Sequence, residues 1–371
     1  KTADNAHPDA NEQQMLWLMN RARSNPAEEG EWLATTDIPN IAFPRSYFGV
    51  DVAVLQNEFV GYDQKPPAAF DVRLYNAAKA HSDAQDHNDQ FRKISDAGFS
   101  YTQARGNVFS YTKDALYGHA AFNIDWGYGT DGMQDGRGHR MAIMSIDGDY
   151  TNVGLAIVPE SDSATEVGPL VTTGNYCNAN RFQPNHYNRF IVGTVWDDVN
   201  GNEMYDPGEG IGNVTVMPDS GTYYAVTSDS GGYAVPIISA GACTITFSGA
   251  LNAVRNVTVG DESILFDLVS EPSCPSELYV SSTGDCGNKS PCYSSIKDAI
   301  DNAAAEAVIF VKQGTYQESI NMGEGKSLLI KGGYNDAYDQ QTANATFIQA
   351  VGSTSIKSSG GSLQWQMVAI K

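Results

Sequence analysis

At 371 residues the chain exceeds one ordinary hydrophobic core, and two or three domains are expected. Hydrophobic residues make up 41% and charged residues only 18%, which excludes a disordered chain. The formal charge of −21, from 44 acidic and 23 basic residues, repels phosphate backbones and anionic lipid headgroups; it argues against nucleic-acid and membrane-surface partners and suits oxygen-ligated calcium.

In chain order, EQQMLWLMNRAR at 12–23 places Met15, Leu18, Met19 and Ala22 at helical spacing, with Asn11 as the expected N-cap. Asn25-Pro26 restarts a helix, a cap followed by proline at the first helical position. Residues 39–69 read as irregular. Asp71 then caps a long helix, VRLYNAAKAHSDAQDHNDQ, whose Leu74, Ala77, Ala78 and His81 share a face. His81 and His87 lie six residues apart on it and face different ways. A further helix is expected at 113–123, and strands at 152–158 and 170–176.

The composition changes near Asn188. From Phe190 to Leu268 the segments FIVGTVW, NVTVMP, YYAVTS, GYAVPII, CTITFS, VRNVTV and ILFDLV alternate like strands, punctuated by Gly, Asp, Asn and Ser. That is the pattern of an all-β sandwich. A second boundary falls at EPSCPSE, 271–277. Beyond it come YVSS, a cysteine loop, one helix (SSIKDAIDNAAA) and the strands AVIFVKQ, SLLIKGG, ATFIQA and SLQWQMVAI, the pattern of coils in a β-solenoid. The domains are therefore expected at 1–189, 190–271 and 272–371.

No apolar run approaches the roughly 20 residues that span a bilayer, so the chain is not expected to be integral to a membrane. It starts at Lys1 without Met, and a mature chain whose export signal has been removed is expected. SLQWQMVAIK at the other end carries no polar cap, so either the natural chain continues or something covers that end. Five cysteines permit at most two disulfides. Cys286–Cys292 would close a small ring, Cys274 is an alternative partner for either, and Cys177–Cys243 would tie two domains; buried free thiols are the remaining alternative.

The strongest chemical signal is DVNGNEMYDPGE at 198–209. Side-chain oxygens fall at positions 1, 3, 5, 9 and 12 (Asp198, Asn200, Asn202, Asp206 and Glu209), and Met204 at position 7 offers its carbonyl. This is the ligand spacing of an EF-hand loop, and a structural Ca²⁺ is expected. Two features depart from that motif: Glu203 replaces the glycine at position 6, and strands rather than helices flank the loop.

Three stretches resemble known families. LWLMNRARSNP, PAAFDVRLYNAAKAHSDAQ, GNVFSY and GHRMAIMSIDGDYTNVGLAI together resemble the CAP superfamily of cysteine-rich secretory, antigen-5 and pathogenesis-related proteins, over about half the chain. GTVWDDVNGN…DPGEGI resembles the opening of the B-type repeats of bacterial surface adhesins. CPSELYVSSTGDCGNKSPCYSSIKDAI…VKQGTY resembles the entry of right-handed parallel β-helix proteins. The implied architecture is multidomain α+β: an α-β-α sandwich, a Greek-key, prealbumin-like β-sandwich, and a partial parallel β-helix.

The CAP resemblance implies a cleft with two histidines and two glutamates. His139 matches the second histidine, but Phe91-Arg92-Lys93 stands where the first is expected, and Arg105-Gly106-Asn107 lacks the family's glutamate. No glutamate occurs between Glu58 and Glu160. His119, His139 and Asp125, with Asp131 and Asp135 near them in sequence, remain as candidates to hold Zn²⁺ or to serve as acid and base. The competing reading is that both histidines are structural. GxSxG and HExxH are absent. The resemblances imply a secreted or cell-surface binding protein of the adhesion type, meeting an extracellular lipid, glycan or protein. The alternatives are a secreted hydrolase acting in the CAP cleft, zinc-dependent or histidine-based, and an accessory part of a longer carbohydrate-active β-helix protein.

Overall fold

The computed structural model describes residues 6–83, 89–160, 167–270, 275–304, 306–322, 326–349, 356–358 and 362–370. Helices and strands are mixed, and the chain divides into two compact units, Lys1–Ser270 and Glu271–Lys371. The helical half and the β-sandwich, expected as separate domains at 1–189 and 190–271, thus fall within one unit.

The first half of that unit opens with α1 (Ala10–Ser24) and α2 (Pro26–Thr35). Asp9, not Asn11, caps α1: its carboxylate accepts from Glu12 N while Glu12 reaches back to the Asp9 amide, a reciprocal capping box. Asn25 and Pro26 start α2 as expected. The stretch read as irregular holds α3 (Pro39–Tyr47) and α4 (Val52–Val60). After β1 (Ala69–Phe70), Asp71 caps α5 (Val72–Ser82). The four residues expected on one face of α5 are all buried, but the helix ends at Ser82, short of the expected length, and His87 lies outside the described residues. Next come α6 (Gln90–Asp96), β2 (Tyr101–Thr112), α7 (Ala115–Ile124), α8 (Gly138–Ile143), β3 (Asn152–Pro159) and β4 (Leu170–Ala179).

These strands form one sheet in the order β1-β3-β4-β2, parallel only between β1 and β3. Successive residues of β4, Tyr176 and Cys177, enter different cores: one holds Met15, Met19, Phe59 and Phe122, the other Leu74, Ile94 and Phe99. The alternation follows from the period of two along a strand and puts helices on both faces. Gly154 of β3 permits the close approach of α5, since a Cβ there would meet the backbone of Leu74 and Tyr75 at 2.1 Å.

The second half comprises β5 (Phe190–Asp197), β6 (Val214–Pro218), β7 (Ala225–Val226), β8 (Gly232–Pro236), β9 (Gly241–Gly249), β10 (Ala253–Val259), β11 (Ile264–Leu265) and β12 (Leu268–Ser270). One sheet runs β10-β9-β6-β7; in the other, β5 pairs with β8 on one side and with β11 and β12 on the other. Ile191, Val195, Val216, Val235, Ile245 and Phe247 fill the space between them. Cys177 and Cys243 are buried free thiols, so neither ties the halves together.

Helix α1 joins the two halves because it is buried on two sides. Met15, Met19 and Ala22 enter the helical core, while Trp17 and Leu18 meet Trp196 and Tyr205 of the sandwich. Its polar side chains serve the same seam. Gln13 donates to Thr194 Oγ1 at 2.7 Å, and Gln14 donates to Tyr205 O at 3.1 Å and Asp206 Oδ1 at 2.9 Å. Trp17 Nε1 donates to Asp267 Oδ2 at 3.0 Å. Asp267 sits in the gap between β11 and β12, where its other oxygen accepts from Thr194 N at 2.8 Å in place of a ladder bond.

In the second unit, β13 (Glu277–Val280), β14 (Cys292–Tyr293), α9 (Ile296–Asp301), β15 (Val308–Lys312), β16 (Gly314–Gln317), β17 (Ile320–Met322), β18 (Ser327–Tyr334), β19 (Thr346–Gln349), β20 (Ile356–Ser358), β21 (Ser362–Gln366) and β22 (Val368–Ile370) follow. Among the described residues these strands pair with one another in parallel, in the ladders β14-β13-β15-β18-β21, β16-β19-β22 and β17-β20. Leu278, Ile309, Ile330 and Trp365 stand in one register across successive strands. The α9 residues Ile296, Ala299 and Ile300 join this core. Cys286 and Cys292 form the small ring, and Cys274 lies outside the described residues.

Candidate functional sites: two histidine pairs and an acidic loop

His119 and His139 are served by different carboxylates. His119, on α7, is wholly buried, and its Nε2 donates to Glu29 Oε1 at 2.8 Å. A carboxylate only accepts, which fixes the proton on that nitrogen. Glu29, on α2, also accepts from Arg21 Nε and Nη2 at 2.9 and 2.7 Å. Burial works to raise the Glu29 carboxyl, but Arg21 and His119 outweigh it and hold the group below its ordinary range. Arg21 also stacks over Trp32, 4.5 Å from the ring centre. This network is a satisfied buried cluster.

His139 sits at the start of α8. Its Nδ1 donates to Asp125 Oδ1 at 2.7 Å, and its backbone N–H donates to Asp125 Oδ2 at 3.1 Å. Asp125 is fully buried at the end of α7 in a left-handed conformation (φ 56°), which turns its carboxylate toward α8. The imidazole stacks on Phe122 at 5.6 Å and meets the edge of Phe109 at 5.9 Å. It remains 24% exposed. With Nδ1–H held by a carboxylate, Nε2 is the basic nitrogen, the orientation a general base requires.

Asp131 pairs with Arg137, and Asp135 is exposed. Glu58 binds Arg137 and Arg140 rather than a histidine. His119 and His139, the candidate zinc ligands, thus bond different carboxylates, Glu29 and Asp125. Among the described residues, no three His, Cys, Asp or Glu side chains gather as metal ligands do. Glu29 escaped sequence reasoning because it lies 90 positions from His119 and outside the stretch in which a cleft glutamate was sought.

The acidic loop joins β5 to β6. Asp198 Oδ1 accepts from Gly201 N and Asn202 N, and its Oδ2 from Glu203 N, at 2.9–3.1 Å. The Asn200 and Asn202 amides both donate to Asp206 Oδ2, at 2.8 and 2.9 Å. Glu209 is buried and closes the loop, accepting from Val199 N at 3.0 Å and Asp206 N at 2.8 Å. Glu203 adopts φ 60°, so the sharp turn at position 6 is made without glycine. The donor chemistry, three carboxylates with two amides and a carbonyl, fits a hard cation. In this structure the loop's own N–H groups engage the side-chain oxygens, apart from Asp206 Oδ1, which accepts from Gln14 of α1.

No protein-family profile matches the chain, and no curated protein is detectably similar to it.

Proposed function

We propose that the chain is a secreted or cell-surface binding protein of the adhesion type, in which calcium at the 198–209 loop stiffens a platform built from the helical half and the β-sandwich. In this reading residues 1–189 are a CAP-like α-β-α sandwich, residues 190–271 an adhesin-repeat-like domain, and residues 272–371 the first coils of a right-handed parallel β-helix. The observation that carries it is the loop. Six oxygen donors stand at EF-hand spacing, the backbone at Glu203 takes the left-handed turn that position 6 of such a loop needs, and Asp206 is bonded to Gln14 of α1. Asp198, Asn200, Asn202, Asp206 and Glu209 would hold the ion by side-chain oxygens, and Met204 by its carbonyl. The ion's part is structural: it offsets the mutual repulsion of these carboxylates and fixes the loop against α1. Thermal melting with calcium and with a chelator tests this. Calcium raises the melting temperature of the native chain and not that of Glu209→Gln; equal melting of the native chain in both conditions refutes the reading.

A second reading, a histidine-based hydrolase, is favoured by one observation: the Asp125–His139 pair, with the basic nitrogen on a half-buried ring. Its test is hydrolysis of generic ester and peptide substrates, abolished in His139→Ala. Activity equal in the two proteins, or absent from the native chain, refutes it.

A further inference from the structure

A cavity of about 690 Å³ in the first unit lies between the helical half and the sandwich, away from both histidine pairs and the acidic loop. Its volume falls within the roughly 300–1,000 Å³ range of small-molecule sites. Asp71 and Arg73 at the start of α5, Asn185 and Tyr187 of the segment after β4, Tyr223 and Tyr224 before β7, and Tyr233 of β8 stand on its walls.

The charge within it is cancelled internally. Arg73 donates to both oxygens of Asp71, at 2.9 and 2.7 Å, and to Asn185 O at 3.1 Å, while its guanidinium covers the Phe99 ring at 4.9 Å. The fork is thereby fixed in place before any ligand arrives. The Tyr187 and Tyr223 hydroxyls bond each other at 2.9 Å, which uses one of their two protons and leaves further acceptor capacity. Tyr233 donates to Phe266 O, so it offers the cavity its ring rather than its hydroxyl. Tyr224 is 60% exposed. The cavity thus combines an open aromatic face, hydroxyls and an amide with no net charge.

We propose that this cleft binds a neutral carbohydrate, with a sugar ring lying on Tyr224 and its hydroxyls meeting Tyr187, Tyr223 and Asn185. Sugars present an apolar C–H face for a ring and a rim of hydroxyls for amphipathic side chains, and tyrosine serves both. An anionic glycan is disfavoured by the chain's charge of −21 and by the prior commitment of Arg73 to Asp71. A peptide adding to a sheet edge is disfavoured too: β7 spans two residues, and β8 ends at Pro236, which has no N–H. The inference rests on the reading of the chain as an extracellular binding protein and names the ligand class.

The test is binding of the full chain to an array carrying neutral, sialylated and sulfated oligosaccharides, with calcium and with chelator. Neutral glycans are retained, acidic ones are not, and Tyr224→Ala weakens retention by roughly tenfold, with Tyr187→Phe weakening it less. A melt of each variant checks its folding. Retention of no neutral glycan, preference for acidic glycans, or full retention by folded Tyr224→Ala overturns the proposal. None of the residues 198–209 lines the cleft, so the calcium account is judged separately, by melting: it fails if chelator leaves the melting temperature unchanged, whatever the array shows.

Discussion

Gln14→Ala probes the joint between α1 and the acidic loop. Gln14 is 3% exposed and donates to both Tyr205 O and Asp206 Oδ1, so truncation leaves a buried carbonyl and a carboxylate oxygen without their donor. A neutral hydrogen bond contributes about 1 kcal/mol and one to a charged group about 2 kcal/mol, giving a loss of about 3 kcal/mol. For a unit of this size that corresponds to a melting temperature lower by roughly 5 °C. Calorimetry of the native chain, Gln14→Ala, Asp206→Ala and the double variant measures the loss and isolates the coupling. A coupling of about 1 kcal/mol or more is expected. Strict additivity, or a single-variant shift below about 2 °C, would refute the claim that this helix and this loop are joined through Gln14.

Two further outcomes follow from the same framework. Burial raises the Asp267 carboxyl to about 6, against the opposing bonds from Thr194 N and Trp17. The folded state then holds this proton more tightly than the unfolded one, so the contribution of Asp267 to stability is fully present below about pH 4 and is lost as pH rises to about 6, about 3 kcal/mol in all. Denaturant melts across that range should show a shallower slope for Asp267→Asn, and an unchanged slope would contradict the assignment. Gly154→Ala drives a methyl into the α5 backbone and should cost about 3 kcal/mol or more, read from the same melts.

Much of the fold is written in local signals. Asn25-Pro26 and Asp71 announce their helices because capping is chemistry within three residues. The expected strand segments of the sandwich alternate in sequence and form strands at 190–270. Other elements lacked such signals. Helix α3 has no side-chain cap and carries Pro44 in its interior, and α4 opens on the β-branched Val52 and Val54. Strand β2, twelve residues long, has runs of half-buried residues instead of a buried/exposed alternation. Asp9 was overlooked as the α1 cap because Glu12 reads as the start of the helical pattern rather than as the third residue of a capping box.

The candidate sites divide in the same way. The loop donors lie within 12 residues, and spacing alone marks them. The partners of the histidines are tertiary: Glu29 meets His119 from another helix, and Asp125 turns to His139 only through the left-handed end of α7. The tyrosine cleft is invisible in the sequence because its walls come from α5, the segment after β4 and the β6–β8 region, which meet only in the folded unit.

Crystals grown in calcium, with diffraction collected to give anomalous signal from that ion, test the central claim most directly. The account predicts one anomalous peak at the 198–209 loop, within about 2.3–2.6 Å of oxygens from Asp198, Asp206 and Glu209. A calcium-saturated crystal with an ordered loop and no peak there would contradict it.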